Sequence, residues 1–460
     1  MTARVTSGPA GAGTSAPGAC RHVLGLSAPG PGELAAAASR LADVLRENPR
    51  LPLHTLARSL GTAPHYPARL AVVAADAVEA AEALTDGEHP ARVQGTAVPG
   101  EQSVVFLLPG VGDHHPGMVA GPYRSLPRFR RRLDEVAELL LPVLGADVRE
   151  ALDLSGAVMA PPQQPAGIDL AALMASRRAG PAHRGGFDRP LTAQPLVFAV
   201  EYATAGLLID VGLRPAALLG YSIGECTAMC LAGVLDLPRA AAFVAARARA
   251  IEATAAAAPP GAMTAVVAGA EELTGLLGDD VVLAAVDGPH LCVLAGPADG
   301  LAKVEDRLDG AGIASRRLPV EFAFHSPAMA GAVAPVEEAA ARAGLSAPAT
   351  PMLSNLTGGW LTAEQATDPA YWSGQLRHTV RFDENLANAL ALPGPVLIEV
   401  GPGRSLGTLG RTHPAAGRDT GVLATLGAPG EPDPFARALA GAWVRGLPVD
   451  LSVVAELSED

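Results

Sequence analysis

The heptapeptide Leu219–Glu225, LGYSIGE, decides how the rest of the chain is read. It sets Ser222 between Gly220 and Gly224 at the spacing G-x-S-x-G, after the apolar run RPAALL and before TAMCLAGVL. A buried strand, a sharp turn carrying a serine and a helix form the context in which such a hydroxyl is lifted clear of the backbone. A serine hydroxyl is a weak nucleophile until a base takes its proton, and it must project to be reached. The glycines let strand and helix approach closely. The amide of Ile223 and the helix dipole face the oxygen that becomes negative during acyl transfer. The motif alone does not settle whether Ser222 attacks anything, because the base must come from elsewhere.

Among eleven histidines, His325 in VEFAFHSPAM is the leading candidate base; the alternative is a capping or core histidine. Asp113-His114-His115 could suggest a metal, but adjacent residues do not face one ion well and no third ligand is in view. The segment therefore reads as a loop, and no metal site is expected. The run PRFRRRLDEV, residues 127–136, is basic within an acidic chain. It reads as a solvated helix face or as a patch for an acidic partner, which Arg177, Arg178 and Arg184 would extend.

Outward from the serine, SVVFLLPG (103–110) is an all-apolar strand suited to a parallel sheet covered on both faces, and PVLIEVGPGRSL reads as another buried strand. Between Met263 and Val320 the order is βαββαβ, the ferredoxin-like arrangement. The expected fold is an α/β-hydrolase-like parallel sheet core with an inserted ferredoxin-like subdomain, preceded by a small α/β linker domain. The divisions are a disordered tail at 1–20, a linker domain at 21–100, a large subdomain at 101–262 and 323–430, a small subdomain at 263–322, and a C-terminal linker at 431–460. That last linker is read as a helix followed by a short extended tail. Residues 155–192 lose periodicity and read as a long loop around a short helix, DLAALMA.

With 460 residues, one large domain plus smaller ones is expected. Hydrophobic residues at 49% and charged residues at 18% indicate a folded chain. A net charge of −13 weighs against a nucleic-acid partner. Cys20, Cys226, Cys230 and Cys292 form no CxxC pair, which fits a reducing, cytoplasmic setting. No apolar leader and no run of about 18 apolar residues is found, so neither secretion nor a membrane span is expected.

The segments PGVGDHHPGM, QPLVFAVEYA, LLGYSIGE, RARAIEATAAAAPPGAM, VDGPHLCVLAGP, EFAFHSPAM, SNLTG, YWSGQLRHTVRF and EVGPGRSL follow one another in order. Together they resemble an acyltransferase of the malonyl-CoA:acyl carrier protein transacylase family, including the acyltransferase domains of modular polyketide synthases. The resemblance covers residue 103 to about 430, and the flanks are similar to the linkers around such domains. It implies that Ser222 is acylated, that His325 is its general base, and that no carboxylate completes the dyad. Gln375 falls where a backbone carbonyl orients the histidine, and Val111 with Ile223 falls where amides form the oxyanion hole. Arg247 matches the arginine that binds the free carboxylate of a malonyl-type unit. A guanidinium suits that task because it offers two parallel hydrogen bonds. The bland alternative for Arg247 is a solvated helix arginine like its neighbour Arg249.

The chain departs from the family pattern in several places. Gly110-Val111-Gly112 replaces Gly-Gln-Gly, so the Val111 amide can donate but a side-chain bond is lost. Tyr221 replaces a histidine before the serine, and Asp287 stands where asparagine is common. Phe322-Ala323-Phe324-His325 is similar to the malonyl-type HAFH rather than the methylmalonyl-type YASH. Phe324 would crowd an α-methyl branch, Ile223 also suits malonyl, and Phe322 and Tyr221 complete the implied substrate-binding set. Discrimination of one methyl group is worth only about 1–3 kcal/mol, so an unusual extender stays open.

The resemblance thus implies transfer from acyl-CoA through acyl-Ser222 to the phosphopantetheine thiol of an acyl carrier protein. No bound cofactor is implied, and a ketosynthase or other synthase modules are possible partners. A free-standing enzyme and a piece of a larger synthase are both compatible. The rivals are an acyl-thioester hydrolase of the same fold, a non-catalytic docking module, and a lipase-type esterase, which would need a carboxylate between Ser and His in the chain.

Overall fold

The computed structural model describes residues 21–98, 100–154, 185–427, 431 and 433–459. The tail at 1–20, the short helix in DLAALMA, Arg177, Arg178, Arg184 and most of the 155–192 loop lie outside the described residues. The chain opens with β1 (His22–Ala28), β2 (Ala68–Ala74) and β3 (Arg92–Thr96), an antiparallel sheet in sequence order. Every residue of β2 is buried. Alternation along a strand explains this. Leu70 and Val72 meet Leu34, Ala42 and Leu45 of the helix Pro31–Glu47, whereas Ala71 and Val73 belong to the main core with Trp443.

Trp443 lies on the helix Pro434–Arg445 near the end of the chain, so the first and last segments share a core. Arg69 fastens them: its guanidinium lies 5.0 Å from the Trp443 ring and donates to the Trp443 carbonyl at 2.6 Å. The expected extended tail is instead a helix, Leu451–Glu456. Asp450 caps it by accepting from Ser452 N and Val453 N, and Ala455 packs into the core of the first unit. A cap and a buried face outweigh the strand preference of its β-branched residues.

The main sheet contains β4 (Ser103–Leu108) and β5 (Ala217–Gly220). An antiparallel group follows, with β6 (Gly261–Val266), β7 (Val282–Gly288), β8 (Leu291–Pro297) and β9 (Ser315–Arg317) in the spatial order β7-β8-β6-β9. With two crossover helical segments, Ala270–Leu273 and Ala298–Gly310, this is the ferredoxin-like order. The first segment is shorter than EELTGLLG predicts, ending before Thr274 and Gly275, both weak helix formers. A fifth strand, β10 (Val380–Arg381), comes from outside the insertion and pairs parallel to β7.

The main sheet is completed by β11 (Pro395–Glu399) and β12 (Gly421–Ala424), all parallel, in the order β12-β11-β4-β5. Its two faces divide by alternation: Val104, Phe106 and Leu108 enter the main core, and Val105 and Leu107 pack against Ala284, Ala285 and Phe382. On the first face lies the helix Pro190–Asp210. Among the described residues it is the one helix long and apolar enough to cross a membrane, and 78% of its apolar window is buried. Here it packs between the helices Pro127–Leu144 and Leu237–Ala256 as the core helix.

β5 ends against this packed surface, and the chain must turn at once into the helix Gly224–Leu231. A Cβ at Gly224 would lie 2.0 Å from the Leu108 carbonyl oxygen, and one at Gly220 would lie 2.2 Å from Glu225 N. Both neighbours are backbone, so neither can yield without displacing β4 or the turn. Gly224→Ala should therefore destabilise the protein by about 3 kcal/mol, the upper end for overpacking a tight site. Urea unfolding monitored by circular dichroism checks this, and an unchanged midpoint would show that the turn has slack.

Candidate active site

The turn after β5 holds Ser222 at φ 53°, in the left-handed region that non-glycine residues rarely occupy. Its amide donates to Asn355 Oδ1 at 2.8 Å, and the preceding Tyr221 amide continues the strand pairing to the Leu108 carbonyl at 2.9 Å. So displayed, Ser222 Oγ lies 2.8 Å from His325 Nε2. His325 Nδ1 lies 2.7 Å from the Gln375 carbonyl oxygen. A carbonyl can only accept, so Nδ1 carries the proton and Nε2 faces the serine as an acceptor. His325 is itself left-handed, at φ 57°, and is only 6% exposed. Burial first, and then the Arg247 guanidinium, push its pKa down to about 4. The imidazole is therefore neutral at pH 7 and able to take a proton.

Beside the serine, a Cβ at Gly110 would stand 3.8 Å from Ser222 Cβ, which brings the end of β4 and Val111 to the elbow. Among the described residues neither the Val111 nor the Ile223 amide has a hydrogen-bond acceptor. Two free amides at a serine are the donors that a developing oxyanion requires.

Arg247 is 2% exposed, unlike Arg249, which is exposed. Its Nη1 donates to Gln194 Oε1 at 2.5 Å, while Nε has no partner among the described residues. Burial pushes its pKa below the usual arginine value. Glu225 is close enough to act on it electrostatically, and burial pushes that carboxyl up to about 8. A buried cation thus stands beside the dyad, no ion pair to it within 4 Å is found among the described residues, and burying such a charge is costly.

Phe322 and Phe324 stack at 5.4 Å, and Phe324 touches both the main core and the interface with the small subdomain. Tyr221 spans that same interface: its ring meets Phe382 edge-on at 5.2 Å and its hydroxyl faces Asp287. Asp287 is buried, and burial raises its pKa to about 7. The Ile223 side chain is turned into the main core, so of this residue only the amide faces the serine side of the turn.

The other candidates disperse. Asp113 accepts from Ser405 Oγ at 2.6 Å, His114 Nδ1 accepts from Gly112 N at 3.1 Å, and His115 Nδ1 lies at the Pro116 carbonyl. No group of three or more potential ligands exists among the described residues. The basic run is not a uniform positive face, since Arg132 forms two 2.8 Å bonds to Asp210 and Arg128 lies 3.8 Å from it. Sequence reasoning assigns no role to Gln194, Asn355, Glu225 or Tyr371. Gln194 and Asn355 stand inside the motif segments QPLVFAVEYA and SNLTG, but their contacts appear only in three dimensions.

A family profile described as acyl transferase domain matches residues 105–413, and one described as CurL-like, PKS C-terminal matches residues 22–84. The chain is 37% identical over 417 residues to a phenolphthiocerol/phthiocerol polyketide synthase component of Mycobacterium tuberculosis, across 89% of this chain and 26% of that protein. It is 34% identical over 442 residues to the spectinabilin polyketide synthase system protein NorA' of Streptomyces orinoci, across 94% of this chain and 11% of that protein. It therefore spans about a quarter of the first relative's length and less of the second's. Among solved structures, the acyl transferase domain of SpnD in complex with 2-(pent-4-yn-1-yl)malonyl matches with TM-score 0.78 and 33% identity, across 94% of this chain and 97% of that one. The acyltransferase domain from module 8 of the salinomycin polyketide synthase matches with TM-score 0.79 and 28% identity, over the same shares, 94% and 97%.

The lowered pKa of His325 has a readable consequence. Its folded value lies below the ordinary 6.5, so protonation favours the unfolded chain and the stabilising effect is lost as pH falls from 6.5 toward 4. Reactivity of Ser222 follows the same group. Between pH 7 and 5.5, labelling by a fluorophosphonate should fall by less than about twofold, whereas a histidine of ordinary pKa would lose about tenfold. A tenfold loss would show that the imidazole is not held neutral.

Proposed function

The chain belongs to the acyl transferase domain family found in polyketide synthases, and from that premise we propose that it loads a malonyl-type unit from coenzyme A onto an acyl carrier protein. Ser222 Oγ attacks the thioester carbonyl while His325 Nε2 takes its proton, the Nδ1–H staying bound to the Gln375 carbonyl. The amides of Ile223 and Val111 hold the tetrahedral oxyanion. Collapse expels the CoA thiolate, which receives the proton from His325, and leaves acyl-Ser222. The phosphopantetheine thiol of the carrier then gives its proton to His325 and attacks the acyl group. The second collapse returns the proton to Ser222 Oγ and releases the acyl-carrier thioester. The Gln375 carbonyl steadies the transient imidazolium, so no carboxylate is needed.

The observation that carries the substrate class is Arg247, a buried guanidinium with an unpartnered Nε beside a neutral dyad. A free carboxylate on the acyl unit would supply a countercharge and a pair of acceptors. Gln194 Oε1 accepts from Nη1 and restrains the orientation of the guanidinium. Phe324, stacked on Phe322 and next to the base in the chain, would crowd an α-branch, which supports malonyl over methylmalonyl. The carrier protein is the partner this chemistry requires, and the relatives, which are polyketide synthase proteins, make other synthase modules further candidates.

Arg247→Ala should lower kcat/KM for malonyl-CoA about 10- to 100-fold, the worth of a hydrogen bond to a charged group. Acetyl-CoA, which lacks the carboxylate, should be nearly unaffected. Intact-protein mass spectrometry after brief exposure to malonyl-, methylmalonyl- and acetyl-CoA should find a malonyl adduct on the wild type and none on Ser222→Ala. Equal losses for malonyl and acetyl in Arg247→Ala, or preferential acetylation of the wild type, would defeat the carboxylate clamp.

A further inference from the structure

Around the serine lies a buried polar network to which the acyl-transfer chemistry gives no task. Asn355 is 3% exposed and reaches across the elbow. Its Oδ1 accepts from Ser222 N at 2.8 Å, and its Nδ2 donates to the Gly220 carbonyl at 2.7 Å. One planar amide therefore grips the backbone on both sides of Tyr221 and reaches the left-handed residue itself. A left-handed non-glycine residue persists only where its surroundings over-determine it.

The network continues toward the base. The Asn355 backbone N–H donates to Glu225 Oε2 at 3.4 Å, and the Tyr371 hydroxyl donates to Glu225 Oε1. That hydroxyl also lies 2.8 Å from Ser354 Oγ, and Asn385 Nδ2 donates to the Ser354 carbonyl at 3.0 Å. Tyr371 belongs to the helix Pro369–Gly374, which leads directly into Gln375, whose carbonyl holds His325 Nδ1. The Gln375 side-chain amide is buried and interacts electrostatically with Glu225 and Tyr371. From the Ser222 amide to the carbonyl that orients the base, the contacts are continuous and buried.

We propose that Asn355 is a positioning residue for Ser222, and that Glu225 and Tyr371 couple it to the Gln375 anchor of His325. Nucleophile and base are then set by one network rather than by two independent supports. This rests on the acyl-serine reading above. Small displacements at such a pair are costly: a shift of about 1 Å can slow a positioned reaction about 10²-fold.

Labelling of Ser222 by a fluorophosphonate needs the turn and the base but neither coenzyme A nor a carrier, so it isolates this network. Asn355→Ala should label about 10²-fold more slowly than wild type. Tyr371→Phe, which removes one hydroxyl far from the reagent, should label about tenfold more slowly, near the worth of one buried hydrogen bond. Asn355→Asp supplies a signature that simple destabilisation lacks. A protonated carboxyl offers an acceptor and a donor like the amide, whereas a carboxylate offers acceptors alone. The rate of this variant relative to wild type should therefore rise as pH falls from 8 to 5.5. The titratable and charged groups facing the position are Glu225 and Tyr371, with His325 and Arg247 across the serine. All are shared with the wild type, so the ratio isolates the new carboxyl. A pH-independent ratio together with wild-type labelling of Tyr371→Phe would overturn the inference while leaving the acyl-serine reading intact. A wild type that resists the reagent would overturn both. Should Asn355→Ala fail to fold, the other two variants decide.

Discussion

Everything at this site depends on a turn that has no room. Gly220 and Gly224 bring β5 and the following helix so close to β4 that a methyl group at either position would strike backbone at about 2 Å, and Ser222 between them is held left-handed. Such a turn can only persist if both sides are packed. The fold supplies that packing through a parallel sheet whose alternate residues enter two different cores. The serine is consequently fixed before any partner reaches it, while the base arrives from 103 residues further along the chain and is oriented by a carbonyl 50 residues beyond that.

The electrostatics of the pocket follow from burial. Desolvation pushes His325 down to about 4, so it is neutral at pH 7, and pushes Glu225 up to about 8. Arg247 keeps its charge because even a lowered guanidinium pKa stays far above neutrality. A single buried positive charge then acts beside a neutral nucleophile and base, in surroundings where charge is weakly screened. An anionic acyl unit relieves the cost of that buried cation; a neutral one leaves it in place. The carboxylate preference proposed for Arg247 and the neutrality of His325 would thus share one cause, burial.

Much of this is legible in the residues. LGYSIGE gives a strand, a turn and a helix by local chemistry alone, and the βαββαβ pattern yields the ferredoxin-like strand order the structure shows. The parts that are not legible depend on tertiary contacts. The C-terminal segment reads as extended because Val453 and Val454 favour strands, yet Asp450 caps a helix there whose Ala455 is buried by the first unit. The basic run reads as a free surface because Asp210, the partner of Arg132, is 78 residues away. Asn355 sits inside a family motif without a role, since nothing local reveals that its side chain spans the Ser222 turn. Ile223 reads as a specificity residue from its place beside the serine, but its side chain is committed to the core.

The proposed transfer requires that an acyl group on Ser222 be held for a thiol and not lost to water. The most direct measurement is a single-turnover chase: form the malonyl-enzyme, remove free malonyl-CoA, and follow the adduct by intact mass with and without a phosphopantetheine-bearing carrier protein. The predicted result is an adduct that persists in buffer and moves to the carrier when it is added. An adduct that decays equally fast in both, with free malonate as the product, would contradict the transferase and make the protein a hydrolase.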